Sequence, residues 1–298
     1  MKIETKDFGS FQIRAAELLR KFPGHAVREL EKLLARWTTA FSFEPTWSQR
    51  QFGIPSILAR IDCSFKWDDK KLLIYEVEER PAALGVSITL SPDTNPAVKE
   101  WASWYPRLGA VISPLRRLED DSLVLPIYTC EEALSSGAPV IVRAEPAETE
   151  FHCLQQQSAS SLVQKGNRKY GVELGLWNEA PSQLPWDKAW ALKATGSKAK
   201  AIVLWHPDSG LRRNQAGFSS RNQIEKFRTK HKDVYLQELY EPEVLEIDAT
   251  DYYLMYRIHF GWNPEARRYQ LLTGSWWARP ERIVHGASNT VLGGVSFD

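Results

Sequence analysis

The chain reads as an α+β protein. Short apolar runs of strand length recur from position 57 to the C-terminal end, whereas helical periodicity is confined to stretches such as 11–41, 97–105 and 220–231. No internal repeat or low-complexity linker interrupts the 298 residues. A chain of this length exceeds the usual size of one hydrophobic core, so two interlocked units sharing a cleft are expected.

Charge narrows the function classes. With 38 basic and 37 acidic residues the formal charge is +1, and the one dense basic run, Arg221 to Lys232, also holds Glu225 and is followed by Asp233. That run reads as a solvated helix face, and no nucleic-acid partner is expected. Cys63, Cys130 and Cys153 are odd in number and far apart, which argues against a disulfide framework and against a zinc site. No stretch approaches the ~18 apolar residues of a membrane span, and the first twelve residues mix charges with aromatics. A reducing, cytoplasmic setting without a membrane partner is the expectation.

The elements follow in order. Ile13, Ala16, Leu18, Leu19, Val27, Leu30, Leu33 and Leu34 recur at helical spacing, with Pro23-Gly24 dividing the segment into two helices. Residues 57–61 and 72–77 are apolar runs on either side of the charged stretch Lys66–Lys70, the pattern of a hairpin. After a helix over 97–105, strands are expected at 109–112, 122–127 and 140–143, and residues 147–163 are helical or irregular. Strands are expected again at 170–177, 189–193, 201–205, 234–239 and 252–260, with a polar helix over 220–231. A Trp-rich strand and turn region closes the chain.

Five constellations carry chemistry. Lys193 ends an apolar strand just before Thr195-Gly196-Ser197, so an ammonium lies beside backbone N–H groups able to wrap phosphate oxygens; a hairpin with a solvated lysine gives the same string. Gln237, Glu238 and Tyr240 lie where a strand runs into an acidic exit ended by Pro242. That geometry offers backbone groups to an adenine edge and an acid to ribose, or it is an ordinary edge strand. Arg257 and His259 alternate onto one face of their strand. Thr273 to Arg279 and the turn His285 to Asn289 form a Trp-rich strand with a basic residue followed by polar groups. In the N-terminal half, Arg60 and Asp62 face a strand carrying Glu76 and Glu78 on one side, a place for a cationic amine or a solvated hairpin.

The order of these strings resembles the ATP-grasp family, in which two α+β subdomains clamp ATP. The segment around Arg60 to Gly85 resembles the pre-ATP-grasp region of glutathionylspermidine synthase-like proteins. The resemblance implies a pre-ATP-grasp α/β region over 1–125 and a nucleotide-binding domain over 126–298. Its implied cofactors are ATP and Mg²⁺, with Lys169, Lys193, Gly196, Ser197, Gln237, Glu238 and Tyr240 around the nucleotide and Asn289 on the metal. Arg257 and Arg279 would stabilise the transferring phosphoryl group, and Arg60, Asp62, Glu76, Glu78, His259 and His285 would meet a small carboxylate and an amine. The family's Glu-x-Asn metal string is absent from this sequence. A ligase forming ADP and a nucleotide-binding or scaffold protein that has lost catalysis therefore both stand as readings.

Overall fold

The computed structural model describes residues 1–7, 12–39, 52–79, 84–107, 111–113, 140–142, 163–164, 168–194, 201–214, 219–230, 234–281 and 290–298. The chain opens with strands β1 (Ile3–Asp7), β2 (Gln12–Ala16) and β3 (Arg20–Phe22), then helix α1 (Gly24–Thr39) and the hairpin β4 (Leu58–Phe65) and β5 (Leu72–Glu79). Helix α2 (Leu84–Leu90), a 3-10 turn (Pro92–Thr94) and helix α3 (Asn95–Arg107) follow. Next come the short strands β6 (Val111–Ser113), β7 (Val140–Val142), β8 (Val163–Gln164), β9 (Arg168–Tyr170) and β10 (Asn178–Glu179). Strands β11 (Trp190–Ala194), β12 (Ala201–His206) and β13 (Gly210–Asn214), helix α4 (Arg221–Lys230) and strand β14 (Val234–Glu238) precede the C-terminal strands β15 (Val244–Ile247), β16 (Thr250–Asn263), β17 (Arg268–Arg279) and β18 (Val291–Phe297). The fold is α+β, rich in sheet and sparing in helix.

The main sheet runs β1-β2-β18-β17-β16-β4-β5-β9, with β15 beside β16 and β3 beside β18. Its long central strand β16 pairs antiparallel with β4 on one side and β17 on the other. The sheet thus takes strands from both sides of position 125. A second sheet has the order β10-β14-β11-β12-β13, and β6, β7 and β8 form a small parallel sheet.

Period-two alternation gives the main sheet two unlike faces. Ile61 and Cys63 of β4, Tyr256, Ile258 and Phe260 of β16, and Trp276 and Ala278 of β17 belong to the main apolar core. Helix α1 adds Ala26, Leu30, Leu33, Leu34 and Trp37, a single stripe at helical spacing. The opposite face carries Arg60 and Asp62 of β4, Arg257 and His259 of β16, and Thr273, Ser275 and Trp277 of β17. Hydroxyls from the α2 region meet this polar face. Ser87 Oγ lies 2.8 Å from Ser275 Oγ, Ser91 donates to the Gly274 carbonyl and accepts from Val295 N–H, and the hydroxyls of Thr94 and Thr273 are 2.7 Å apart. Gly294 lets this layer close, because a Cβ there would stand 1.9 Å from the Leu90 carbonyl oxygen.

Several expectations change. Residues 12–16 and 20–22 are strands, not the first of two helices: β2 pairs with β1 along its length and with β18, β3 pairs with β18, and that pairing outweighs a helical spacing of apolar residues. The expected strand 170–177 ends at Tyr170. Beyond it the chain turns so tightly that a Cβ on Gly171 would meet the Trp177 ring at 2.0 Å. Residues 122–127 lie outside the described residues, as does nearly all of 147–163.

Gly294→Ala is expected to lower the midpoint of urea unfolding by an amount equivalent to about 1–3 kcal/mol, since the clash is with backbone and not with a flexible side chain. Gly24→Ala, whose nearest contact would be an ordinary 3.5 Å, serves as the control.

Candidate functional site

Strand register builds the site. Across β4 and β5, Arg60 faces Glu78 and Asp62 faces Glu76; across β4 and β16, Arg60 faces His259 and Asp62 faces Arg257. Six ionisable side chains therefore share one patch of three neighbouring strands. Arg60 is its hub: Nε donates to Asp62 Oδ1 at 2.6 Å, Nη2 to Asp62 Oδ2 at 3.1 Å, and Nη2 lies 2.5 Å from Glu78 Oε2. The side chains of Arg60, Asp62 and Glu78 are only 4%, 7% and 3% exposed, so each charge depends on the others and little on water. Burial alone would lower the Arg60 pKa, but Asp62 and Glu78 more than offset it and hold the guanidinium above its ordinary value.

Arg257 differs. Its nearest carboxylate oxygen, Asp62 Oδ2, is 3.8 Å from Nε, and its buried Nε has no hydrogen-bond partner. Its guanidinium carbon lies 3.7 Å from the centroid of the Trp277 ring. Burial, and then the positive charge of Arg60, push the Arg257 pKa down to about 10. The indole N–H of Trp277 donates to Ser275 Oγ at 2.9 Å, and Ser275 meets Ser87 of α2.

The second sheet supplies one more cation. Its apolar face packs Trp190, Leu192, Val203, Trp205 and Val234 with Ile224 of α4. Alternation turns Lys193 and Gln237 the other way, toward β5. Lys193 Nζ lies 3.6 Å from Glu76 Oε2 and 4.5 Å from the centroid of the Trp177 ring. Gln237 Nε2 donates to the Ile74 and Tyr75 carbonyls, each at 3.2 Å, and the Trp177 indole N–H donates to the Tyr75 carbonyl at 2.9 Å. A bulge makes this contact available: register passes from Asp62–Glu76 to Cys63–Ile74, leaving Tyr75 as the extra residue on β5. The Tyr75 hydroxyl meets Ser64 Oγ at 2.6 Å, and burial pushes its pKa up to about 12.

The structure thus brings together Arg60, Asp62, Glu76, Glu78, Lys193, Arg257 and His259. Other expected contacts are elsewhere. Arg279 shares the polar face but stands opposite Tyr253, four residue steps or roughly 13 Å along the strand from the Arg257 register. It pairs with Glu281 at 3.0 Å. Glu238 and Tyr240 are exposed: the Tyr240 hydroxyl donates to Glu238 at 2.9 Å, and Lys66 lies over the Tyr240 ring. Gln237 alone of that string turns inward. Lys169 is opposite Glu78 in the β5–β9 ladder. Gly196, Ser197, His285 and Asn289 lie outside the described residues, and among those described no three His, Cys, Asp or Glu are grouped as metal ligands.

Sequence reasoning missed Trp177, Trp277, Ser275 and Tyr75. The alternation Thr273, Ser275, Trp277, Arg279 was a readable signal for a polar face in a Trp-rich strand. The Tyr75 bulge left no sequence mark.

No family model matches the chain, and no curated protein does. Among solved structures, a glutathione synthetase-like effector from Globodera pallida in apo form is similar over 93% of this chain and 89% of its own, at 12% identity and a TM-score of 0.43.

Arg60 and Arg257 are expected to respond oppositely to neutralisation. Arg60→Met takes their closest cation from Asp62 and Glu78 and should cost about 3–5 kcal/mol, whereas Arg257→Met removes an under-compensated cation and should stay within about 1 kcal/mol of the parent. Chemical denaturation of the two variants measures the difference.

Proposed function

We propose that the chain is an ATP-dependent, ADP-forming carboxylate–amine ligase, the activity implied by the order of its motifs. One observation supports it: residues from distant parts of the chain, Arg60 to Glu78, Lys193 and Arg257, meet on a single buried patch where both charge signs are available. Strands of an ordinary surface hairpin would leave these groups to water.

The orphaned Nε of Arg257 fits an anion, so the patch can receive an anionic co-substrate. When bound, ATP would supply the phosphoryl group that makes a carboxylate open to attack by an amine. Lys169 and Lys193 would neutralise its oxygens, with Lys193 leaving Glu76 to do so, and Gln237 with its neighbours would hold the adenine and ribose. Arg257 and Arg279 would act electrostatically on developing charge. Asp62, Glu76 and Glu78 would hold an ammonium ready to lose its proton. Mg²⁺ is expected with the nucleotide, with Asn289 as its ligand.

A second reading, a nucleotide-binding or scaffold protein without turnover, is favoured by the pairing of Arg60 and Lys193 with the chain's own carboxylates. A triphosphate must compete for them.

Adenine nucleotide at about 100 times its dissociation constant should stabilise the fold by about 2.7 kcal/mol, read as a thermal shift. Lys193→Ala should reduce that shift. ADP release over mixed amino acids and polyamines with Mg²⁺ supports the ligase. A shift without ADP release supports the second reading, and no shift with any adenine nucleotide removes both.

A further inference from the structure

We infer that Arg257 is the docking point for a ligand carboxylate, held in orientation by the chain of contacts Ser87–Ser275–Trp277. The inference deepens the ligase reading, from which it takes only that this patch is the substrate site.

Three observations carry it. First, Arg257 has a buried Nε without a hydrogen-bond partner and sits 3.8 Å from the nearest carboxylate oxygen, while Arg60 on the adjacent strand is bonded to Asp62 through two nitrogens. Buried guanidinium donors are kept unsatisfied at a cost, and a bound anion is the simplest compensation. Second, the contact with Trp277 covers a face of the guanidinium and leaves its edge to present N–H groups, the geometry that matches a planar, bidentate acceptor. The ring is itself fixed, because its N–H is tied to Ser275 and Ser275 to Ser87. Third, the surroundings disfavour a doubly charged group. Asp62, Glu76 and Glu78 lie on the same face, so a phosphoryl dianion docked at Arg257 would meet about twice the repulsion that a monoanion meets.

Trp277 is then a positioning residue. Arg257 is the group that touches the ligand.

The carboxylate could belong to a small acid or to a peptide end, and the probes separate these. Binding of propionate, of trialanine with a free or amidated C-terminus, and of inorganic phosphate is measured calorimetrically without nucleotide. The expected result is binding of propionate or of the free-acid peptide at least about tenfold tighter than the amidated peptide and phosphate. Arg257→Gln should lose about tenfold or more in carboxylate affinity. Arg257→Lys, which keeps the charge but not the planar fork, should lose the preference for carboxylate over phosphate, and it serves where the neutral variant fails to fold. Trp277→Phe should keep the ring and lower that preference, an effect that a packing role alone would not produce. Phosphate bound as tightly as propionate, carboxylate affinity unchanged in Arg257→Gln, or no carboxylate binding would each overturn the inference. Carboxylate binding through Arg257 in a chain that releases no ADP would leave it standing while the ligase reading falls. ADP formation in a chain whose carboxylate affinity ignores Arg257 would do the reverse.

Discussion

Much of this structure depends on Arg60 meeting Asp62 and Glu78 away from water. A charge buried at the centre of a sheet is tolerated only when its neighbours neutralise it, and the neighbours here come from fixed positions in the β4–β5 ladder. That requirement locks register. A slip of one residue would turn Arg60 and Asp62 into the core packed by α1 and carry Ile61 and Cys63 to the polar side. Ionic pairing and hydrophobic burial thus specify the same alignment from opposite faces. Arg20 repeats the device on a smaller scale, reaching Glu243 at 2.6 Å and the Tyr256 hydroxyl at 3.1 Å, and so ties β3 to the central strands.

The bulge at Tyr75 joins the two larger sheets. An extra residue in a strand leaves a carbonyl outside the ladder, and a buried carbonyl needs a donor. Gln237 and Trp177 both provide one, so the second sheet docks where the first is irregular. Lys193 follows from the same docking. Its neighbours Trp190 and Leu192 belong to the core beneath α4, and alternation points the ammonium across the junction toward Glu76. Any group that drew Lys193 away from Glu76 would therefore act on the contact between the sheets as well as on one side chain.

What could be read from the sequence is what short-range periodicity encodes. The hairpin around Lys66–Lys70, helix α3, helix α4 and strands β11, β12, β14 and β16 follow directly from apolar spacing and turn residues. The N-terminal strands did not, because Ile13, Ala16, Leu18 and Leu19 satisfy a helical spacing by accident of composition, whereas residues 12–16 pair along their whole length with β1, and β2 and β3 both reach β18, nearly 280 residues away. At the site, Arg60 with Asp62, Glu76 with Glu78, and Arg257 with His259 could each be grouped by period two. Their meeting could not, since it requires knowing that β16 pairs with β4. The string Gln237 to Tyr240 shows the limit from the other side: contiguous in sequence, it splits into one buried amide and two exposed side chains because the strand ends at Glu238.

Arg60 and Arg257 occupy adjacent strands of one face, yet one is over-provided with acceptors and the other lacks them. Asp62 lies between them and has bonded Arg60 through both oxygens, so Arg257 receives only a distant share of its charge along with the repulsion of Arg60. Stability alone would favour an apolar side chain at position 257, as Met255 is on the same face two residues earlier. The surroundings instead hold the arginine in place, with an aromatic ring against its face and a hydroxyl fixing that ring. A support of this kind raises the rigidity of the cation without supplying it an acceptor, which is the arrangement expected where binding of an anion, and not the folded chain, completes the charge balance.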